Sequence, residues 1–222
     1  MPRIRPTGAV FFDVDGTLVP GTSSAAHLAA SLGHHAALAA AEEAYARGEV
    51  DNRRVADRDV RGWAGAPVAE VARLLRESPL VAGIARTLAW CREHGLVPVL
   101  ATLAWPPVGA HLTERFGFHA YDGPRPAHSG GRYTGRVARH FDEYDQREAA
   151  LARAAALGLT PGDCAAIGDS RSDLPLFAAT GLSIAFNGSA EARAAADGAV
   201  DGAVDGADLR AVLPLLEAWL RQ

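Results

Sequence analysis

A chain of 222 residues with 49% hydrophobic and 22% charged content is long enough for one substantial core, or for a core carrying a small inserted lobe. Its net charge of −4 argues against a nucleic-acid partner, which calls for a basic face, and no apolar run approaches the roughly 20 residues of a membrane span. Cys91 and Cys164 lie far from any metal-ligand spacing, and Met1-Pro2-Arg3-Ile4-Arg5-Pro6 precedes the first apolar run, so the expectation is a cytoplasmic chain with two core thiols.

The first element is Val10-Phe11-Phe12, which reads as a buried parallel strand and ends abruptly in Asp13-Val14-Asp15-Gly16-Thr17-Leu18. Ligands of open α/β sheets gather beyond the carboxyl ends of such strands, where two carboxylates one residue apart can converge on one group. From Thr22 to about Glu77 the chain turns Ala-rich and amphipathic, and Gly33, Gly48, Gly62, Gly65 and Pro67 divide it into about four short helices. A helix over Val81–His94 and a strand over Leu96–Leu100 resume a βα alternation, followed by a helix over 106–117. Tyr121–Phe141, rich in Gly, Pro, Arg and aromatics, predicts a hairpin or flap. A helix over Tyr144–Leu157, strands over Ala165–Ile167 and Leu182–Phe186, and a closing helix over Ala207–Leu220 complete an α/β pattern. The near-repeat Asp-Gly-Ala-Val from Asp197 onward invites a calcium-loop reading; it lacks the further ligands and bidentate glutamate of such loops, and a turn-rich edge connection is the alternative.

Two further strand ends supply polar groups. Thr102 follows Leu100, and Gly168-Asp169-Ser170-Arg171-Ser172-Asp173 follows Ile167. Thr102 alone could be an ordinary strand-end hydroxyl, and Asp173 could also cap the helix beginning at Leu174. Four carboxylates on one rim repel one another unless a cation sits among them, and a hard divalent ion, Mg²⁺ above all, suits few carboxylates, several waters and a phosphate oxygen.

In this order the residues resemble the haloacid dehalogenase superfamily, in its phosphoserine-phosphatase-like branch. Asp13 to Leu18 looks like the first motif, Thr102 the second, and Gly168-Asp169 through Leu176 the fourth. The resemblance implies a Rossmann-like, doubly wound parallel sheet over 1–20 and 81–222, with an inserted small helical-bundle cap over 21–80. It also implies Mg²⁺-dependent hydrolysis of a small phosphorylated metabolite by a monomer or homodimer. Asp13 would be the nucleophile and Asp15 the general acid and base. Mg²⁺ would be held by Asp13, the Asp15 carbonyl and Asp169 with support from Asp173, and Thr102 with nearby N–H groups, those of Gly16 and Leu103 among them, would hold the phosphate. A phosphotransferase sharing the intermediate and a catalytically weak binding protein are the rival readings.

Two departures stand out. The family's third motif is usually a lysine, and all 22 basic Lys+Arg residues here are arginines. Gln146 falls at that place, 23 residues ahead of Asp169, with Arg147 beside it as the candidate cation and Arg171 in reserve. On the substrate side, Thr22 stands where the branch has an ammonium-binding glutamate. Asp59 stands near the place of its carboxylate-binding arginine, with Arg54, Arg58 and Arg61 close by. Phosphoserine is therefore disfavoured against a sugar phosphate or biosynthetic intermediate. Trp105 is a candidate for the substrate mouth.

Overall fold

The structure is a computed structural model that describes residues 6–200 and 208–222. Residues 1–5 and most of the Asp-Gly-Ala-Val repeat, 201–207, with the start of the predicted closing helix, lie outside the described residues.

Gly8–Phe12 (β1) is buried throughout because both faces of its sheet are covered. Alternation sends Ala9 and Phe11 into one apolar layer and Val10 and Phe12 into the other. Two very short parallel strands follow, Asp15–Gly16 (β2) and Val19–Pro20 (β3). Four helices fill the next stretch: Ser24–Leu32 (α1), His35–Ala46 (α2), Asn52–Arg61 (α3) and Val68–Arg76 (α4). Then come Ile84–Glu93 (α5), Leu96–Leu100 (β4) and Pro106–Phe116 (α6), a hairpin of Arg125–Ser129 (β5) and Arg132–Arg139 (β6), and Glu143–Ala156 (α7). Cys164–Gly168 (β7), Leu174–Phe177 (α8), Leu182–Phe186 (β8), Ala190–Ala195 (α9), Gly198–Val200 (β9) and Leu213–Leu220 (α10) complete the order.

The main sheet is wholly parallel, in the order β4-β1-β7-β8-β9, with helices on both faces. From β1 the chain goes to β4 on one side and later to β7 on the other. The carboxyl ends of these three strands therefore flank a crevice at the point where the strand order reverses. That crevice receives Asp13, Thr102 and Asp169.

The hairpin does not extend the main sheet. It docks on the helical stretch between α3 and α4, where the Gly65 and Val68 N–H groups donate to Tyr133 O and Gly131 O (2.9 and 3.0 Å) and Tyr133 N–H donates to Ala66 O (2.9 Å). The rings of Trp63, Tyr133 and Trp105 pack there, with centroids 5.1 and 5.0 Å from that of Trp63. The sequence pattern reveals a hairpin but not what it rests on, because that contact joins residues about 67 apart in the chain.

Element ends differ where local chemistry intervenes. α5 begins at Ile84, since Gly83 precedes it with φ +83° and belongs to no right-handed helix. The closing helix is preceded by a tight turn at Leu209–Val212 and begins at Leu213, with Pro214 in its first turn, where a missing N–H costs nothing. Gly198–Val200 is an edge strand, and the Asp197 carboxylate is committed to the Ser183 N–H and hydroxyl, both at 2.8 Å. The first carboxylate of the repeat is thus a structural clasp. Cys91 and Cys164 are free and buried, and burial pushes the Cys91 thiol up to about 12.

Candidate active site

Asp13 is placed by the sheet itself: its N–H donates to Ile167 O of β7 at 2.9 Å and Ala101 N–H donates to Phe12 O of β1 at 2.9 Å, so three strand ends are locked at one level. One carboxylate oxygen each from Asp13, Asp169 and Asp173 lies within 4.8 Å of the others. Burial is the main cause of a strongly raised Asp13 carboxyl, reinforced by Asp173, Asp169 and Asp15. The same two causes push Asp169 up to about 8, while burial pushes Asp173 up to about 6. Asp169 Oδ1 is buried without a hydrogen-bond partner. A set of hard oxygen ligands that resist ionisation in one another's company, with an orphaned oxygen among them, fits a divalent cation.

Gly16 lets the set close. It adopts φ +89°, and an added Cβ would fall 2.1 Å from Asp169 Oδ2, so a side chain there would displace a cluster carboxylate. Its N–H is spent on Thr22 O at 3.2 Å, so its part is to leave room and not to donate to a ligand. Asp15 turns the other way: its Oδ1 accepts from Ser24 N–H at 2.6 Å, at the start of α1, whose N-cap is Ser23. Burial raises the Asp15 carboxyl despite that bond. Thr102 is 2% exposed, and its Oγ1 accepts from Ala104 N–H at 3.0 Å, which leaves its own proton to donate elsewhere. Asp173 does not cap α8 with its side chain; its Oδ2 accepts from Asp169 and Ser170 N–H at 3.0 and 3.1 Å and so shapes the loop that carries Asp169.

Arg147 is not brought to the cluster. Its guanidinium pairs with Glu148 at 2.6 Å and lies 5.6 Å from the Tyr144 ring centroid. The register of α7 gives the buried position to Gln146, 1% exposed, whose Nε2 donates to Ala101 O at 2.8 Å and whose amide also supports the ionised form of Asp173. Arg171 donates to Tyr45 O at 2.7 Å and stacks 4.8 Å over the Tyr45 ring, outside the cluster. A neutral amide therefore stands where the sequence suggested a cation. Gln146→Leu would strip Ala101 O of its buried donor and is expected to cost about 1–3 kcal/mol in denaturant unfolding. Arg147→Ala, which breaks only a surface ion pair and a contact with the exposed Tyr144 ring, should stay within about 0.5 kcal/mol.

A cavity of about 170 Å³ opens from Asp13, Asp15 and Thr102 toward α2 and α3. Trp105, the sequence candidate for the substrate mouth, lines it, and so does Leu103, whose N–H the family resemblance offered to the phosphate. Thr22 and Arg58 do not line it: Thr22 is exposed and borders the adjoining groove, which shares Asp15, Ser23, Glu42 and Tyr45 with this cavity and reaches Asp169, whereas Arg58 lies on the outer face of α3, as do Arg54 and Arg61. The inward face of α3 carries Asn52, Val55, Ala56 and Asp59 at helical spacing. Sequence reasoning missed Glu42 and Tyr45 on α2 and the function of Asp59. Asp59 is 1% exposed and accepts from His34 Nε2 (2.8 Å), Trp63 Nε1 (3.1 Å) and Trp105 Nε1 (2.7 Å). Its spacing of four from Trp63 was a readable sign; Ser23-Ser24 before an apolar stretch was a readable helix start.

Comparison with known proteins agrees with this geometry. Over 194 residues the chain is 28% identical to a phosphoserine phosphatase of Polaromonas sp. (strain JS666), covering 83% of this chain and 80% of that one. It is 26% identical over 198 residues to a phosphoserine phosphatase of Albidiferax ferrireducens, covering 86% and 83%. A solved structure of a phospho-aspartyl intermediate analogue of phosphoserine phosphatase superposes with a TM-score of 0.84 at 21% identity, over 94% of this chain and 98% of that one, and shares its fold. The family model of haloacid dehalogenase-like hydrolases matches residues 10–178, which hold the end of β1 with the acidic pair that follows it, Thr102 and the Asp169–Asp173 loop, and the chain belongs to that hydrolase family.

Proposed function

We propose that this chain hydrolyses a small-molecule phosphate monoester through an aspartyl-phosphate formed on Asp13, with Mg²⁺ at the carboxylate cluster. The observation that carries the reading is the separation of tasks within one crevice: Asp13, Asp169 and Asp173 converge within 4.8 Å, while Asp15 is held away from them by Ser24 N–H and faces the same cavity. The phosphoserine phosphatases to which the chain is similar lend the reaction class.

Asp13, Asp169 and Asp173 would hold the ion, together with the Asp15 carbonyl; bound there, it neutralises phosphate charge that would otherwise repel a carboxylate nucleophile. An Asp13 oxygen attacks phosphorus as the ester P–O bond breaks, and the departing alkoxide takes its proton from Asp15. Asp15 suits this step because burial keeps its carboxyl protonated to higher pH than usual. Water then attacks the phosphoryl group on Asp13 and gives a proton to Asp15, which releases phosphate and restores both carboxyls. The Thr102 hydroxyl donates to a phosphate oxygen. Helices of the 21–80 segment act as a cap that limits water at the cavity.

Phosphate release from a panel of amino-alcohol, sugar and nucleotide monophosphates, with and without Mg²⁺, tests the reading. Mg²⁺-dependent turnover that survives Arg147→Ala is expected; absence of turnover on every ester would instead favour a weakly catalytic binding protein, the reading that neutral Gln146 supports. No described helix is long and apolar enough to cross a membrane.

A further inference from the structure

The wall of the 170 Å³ cavity opposite Asp13 is built by α2 and α3 and is acidic. Its charged lining residues are Asp13, Asp15, Glu42 and Asp59; among the described residues no arginine or histidine lines it. Basic groups border it only from outside its lining: the adjoining groove, which shares Glu42 and Tyr45, carries His35 and Arg171. His34 sits on Asp59 Oδ1, and Arg171, in the adjoining groove, gives its Nη1 to Tyr45 O. Asp59 is immobilised by three ring N–H groups, so its carboxylate cannot swing away. Glu42 is tethered by one oxygen to the Ser23 hydroxyl at 2.7 Å, and burial, Asp15 and Asp59 all make its charge harder to hold. Tyr45, also on this wall, has a buried hydroxyl with no hydrogen-bond partner, and Trp105 contributes an aromatic edge.

An occupant with its own carboxylate would meet the like charges of this lining with no cation among the lining residues, whereas an ammonium would satisfy Glu42, accept the field of Asp59 and lie against aromatic rings. Resting on the phosphatase reading above, we propose that Glu42, backed by Asp59, selects a phosphate monoester whose alcohol carries a cationic amino group and no carboxylate. The substrate class is then a phosphorylated amino alcohol. The phosphate end sits at Asp13 and Thr102, and the amine end reaches toward α2.

Matched esters read this directly. With Mg²⁺ present, kcat/KM is measured for 2-aminoethyl phosphate, its neutral counterpart 2-hydroxyethyl phosphate, O-phosphoserine, and 4-nitrophenyl phosphate as a general ester. The amine is expected to be preferred over the hydroxyl by about 10- to 100-fold, the worth of one charge-assisted hydrogen bond, with O-phosphoserine below the amine ester. Glu42→Gln, which can still accept from Ser23, should collapse the amine-to-hydroxyl ratio toward unity. An equal or inverted ratio in the unaltered protein, O-phosphoserine as the best substrate, or a ratio insensitive to Glu42→Gln would overturn the proposal while leaving the phosphatase reading intact. Failure to turn over even 4-nitrophenyl phosphate would remove the phosphatase reading and this inference with it. The preference in the unaltered protein needs no variant to fold.

Discussion

Asp13→Asn is expected to lower Mg²⁺-dependent phosphate release by at least about 10³-fold, because an amide oxygen is a poor nucleophile and no neighbouring carboxylate can take the place of the one removed. Asp15 is the nearest candidate in sequence, but its Oδ1 is bound to Ser24 N–H at 2.6 Å and its carboxylate is not part of the Asp13–Asp169–Asp173 set. The variant should fold. Asp13 is anchored through its backbone N–H to Ile167 O, a contact the substitution leaves alone. Its carboxyl is also raised by burial and by three acidic neighbours, so removing the charge relieves repulsion in the metal-free protein. The variant is therefore predicted to unfold in denaturant at or above the midpoint of the unaltered chain while losing turnover. Near-normal phosphate release from such a folded variant would mean that Asp13 is not the attacking group. Loss of activity together with a large drop in the midpoint would point to a structural part for Asp13.

Much of this arrangement was legible in the chain, and the limit lies where side chains from distant segments meet. The apolar run ending in Asp13-Val14-Asp15-Gly16 identified a strand end in a parallel sheet because only a strand covered on both faces reads so continuously. Leu96–Leu100 and Leu182–Phe186 were readable for the same reason, and the structure has strands of those bounds. The α7 start was readable from the acidic run Asp142-Glu143 with Asp145, in which Asp142 and Asp145 form a capping box. The orientation of residues within α7 was not. Whether position 146 or 147 turns inward depends on a rotation of about 100° per residue, which a weakly amphipathic, Ala-rich helix leaves undetermined. Packing decides it, by burying the uncharged Gln146 beside Ala101 O. The acidic wall was likewise hidden. Glu42 lies in a run of alanines, and Asp59 sits among arginines at 53, 54, 58 and 61; only the rotation of α3 turns Asp59 inward and leaves the arginines facing solvent.

Removing divalent ions is expected to abolish turnover and, in the same samples, to change how stability depends on pH. In the metal-free chain Asp169 sits at about 8 and Asp173 at about 6, and Asp13 is raised as well, against roughly 4 for an aspartate in the unfolded chain. Between those limits the native state binds more protons than the unfolded state. The stability these groups contribute is then complete below about pH 4 and is lost as pH rises toward 8, at ~1.4 kcal/mol per pH unit for each proton of difference. Chelated protein should therefore melt at a lower temperature at pH 8 than at pH 5.5. Mg²⁺ calls for the ionised carboxylates, so its affinity and its stabilisation of the native state grow over the same interval. Millimolar Mg²⁺ should raise the melting temperature distinctly more at pH 8 than at pH 5.5, and Asp169→Asn should blunt that increment. A Mg²⁺ shift that is equal at both pH values, or absent at both, would show that the Asp13, Asp169 and Asp173 carboxyls do not hold the ion. Turnover that persists after chelation would show that the reaction does not need it. Thermal and kinetic readouts thus test the cluster separately, because a cation can bind there without chemistry following.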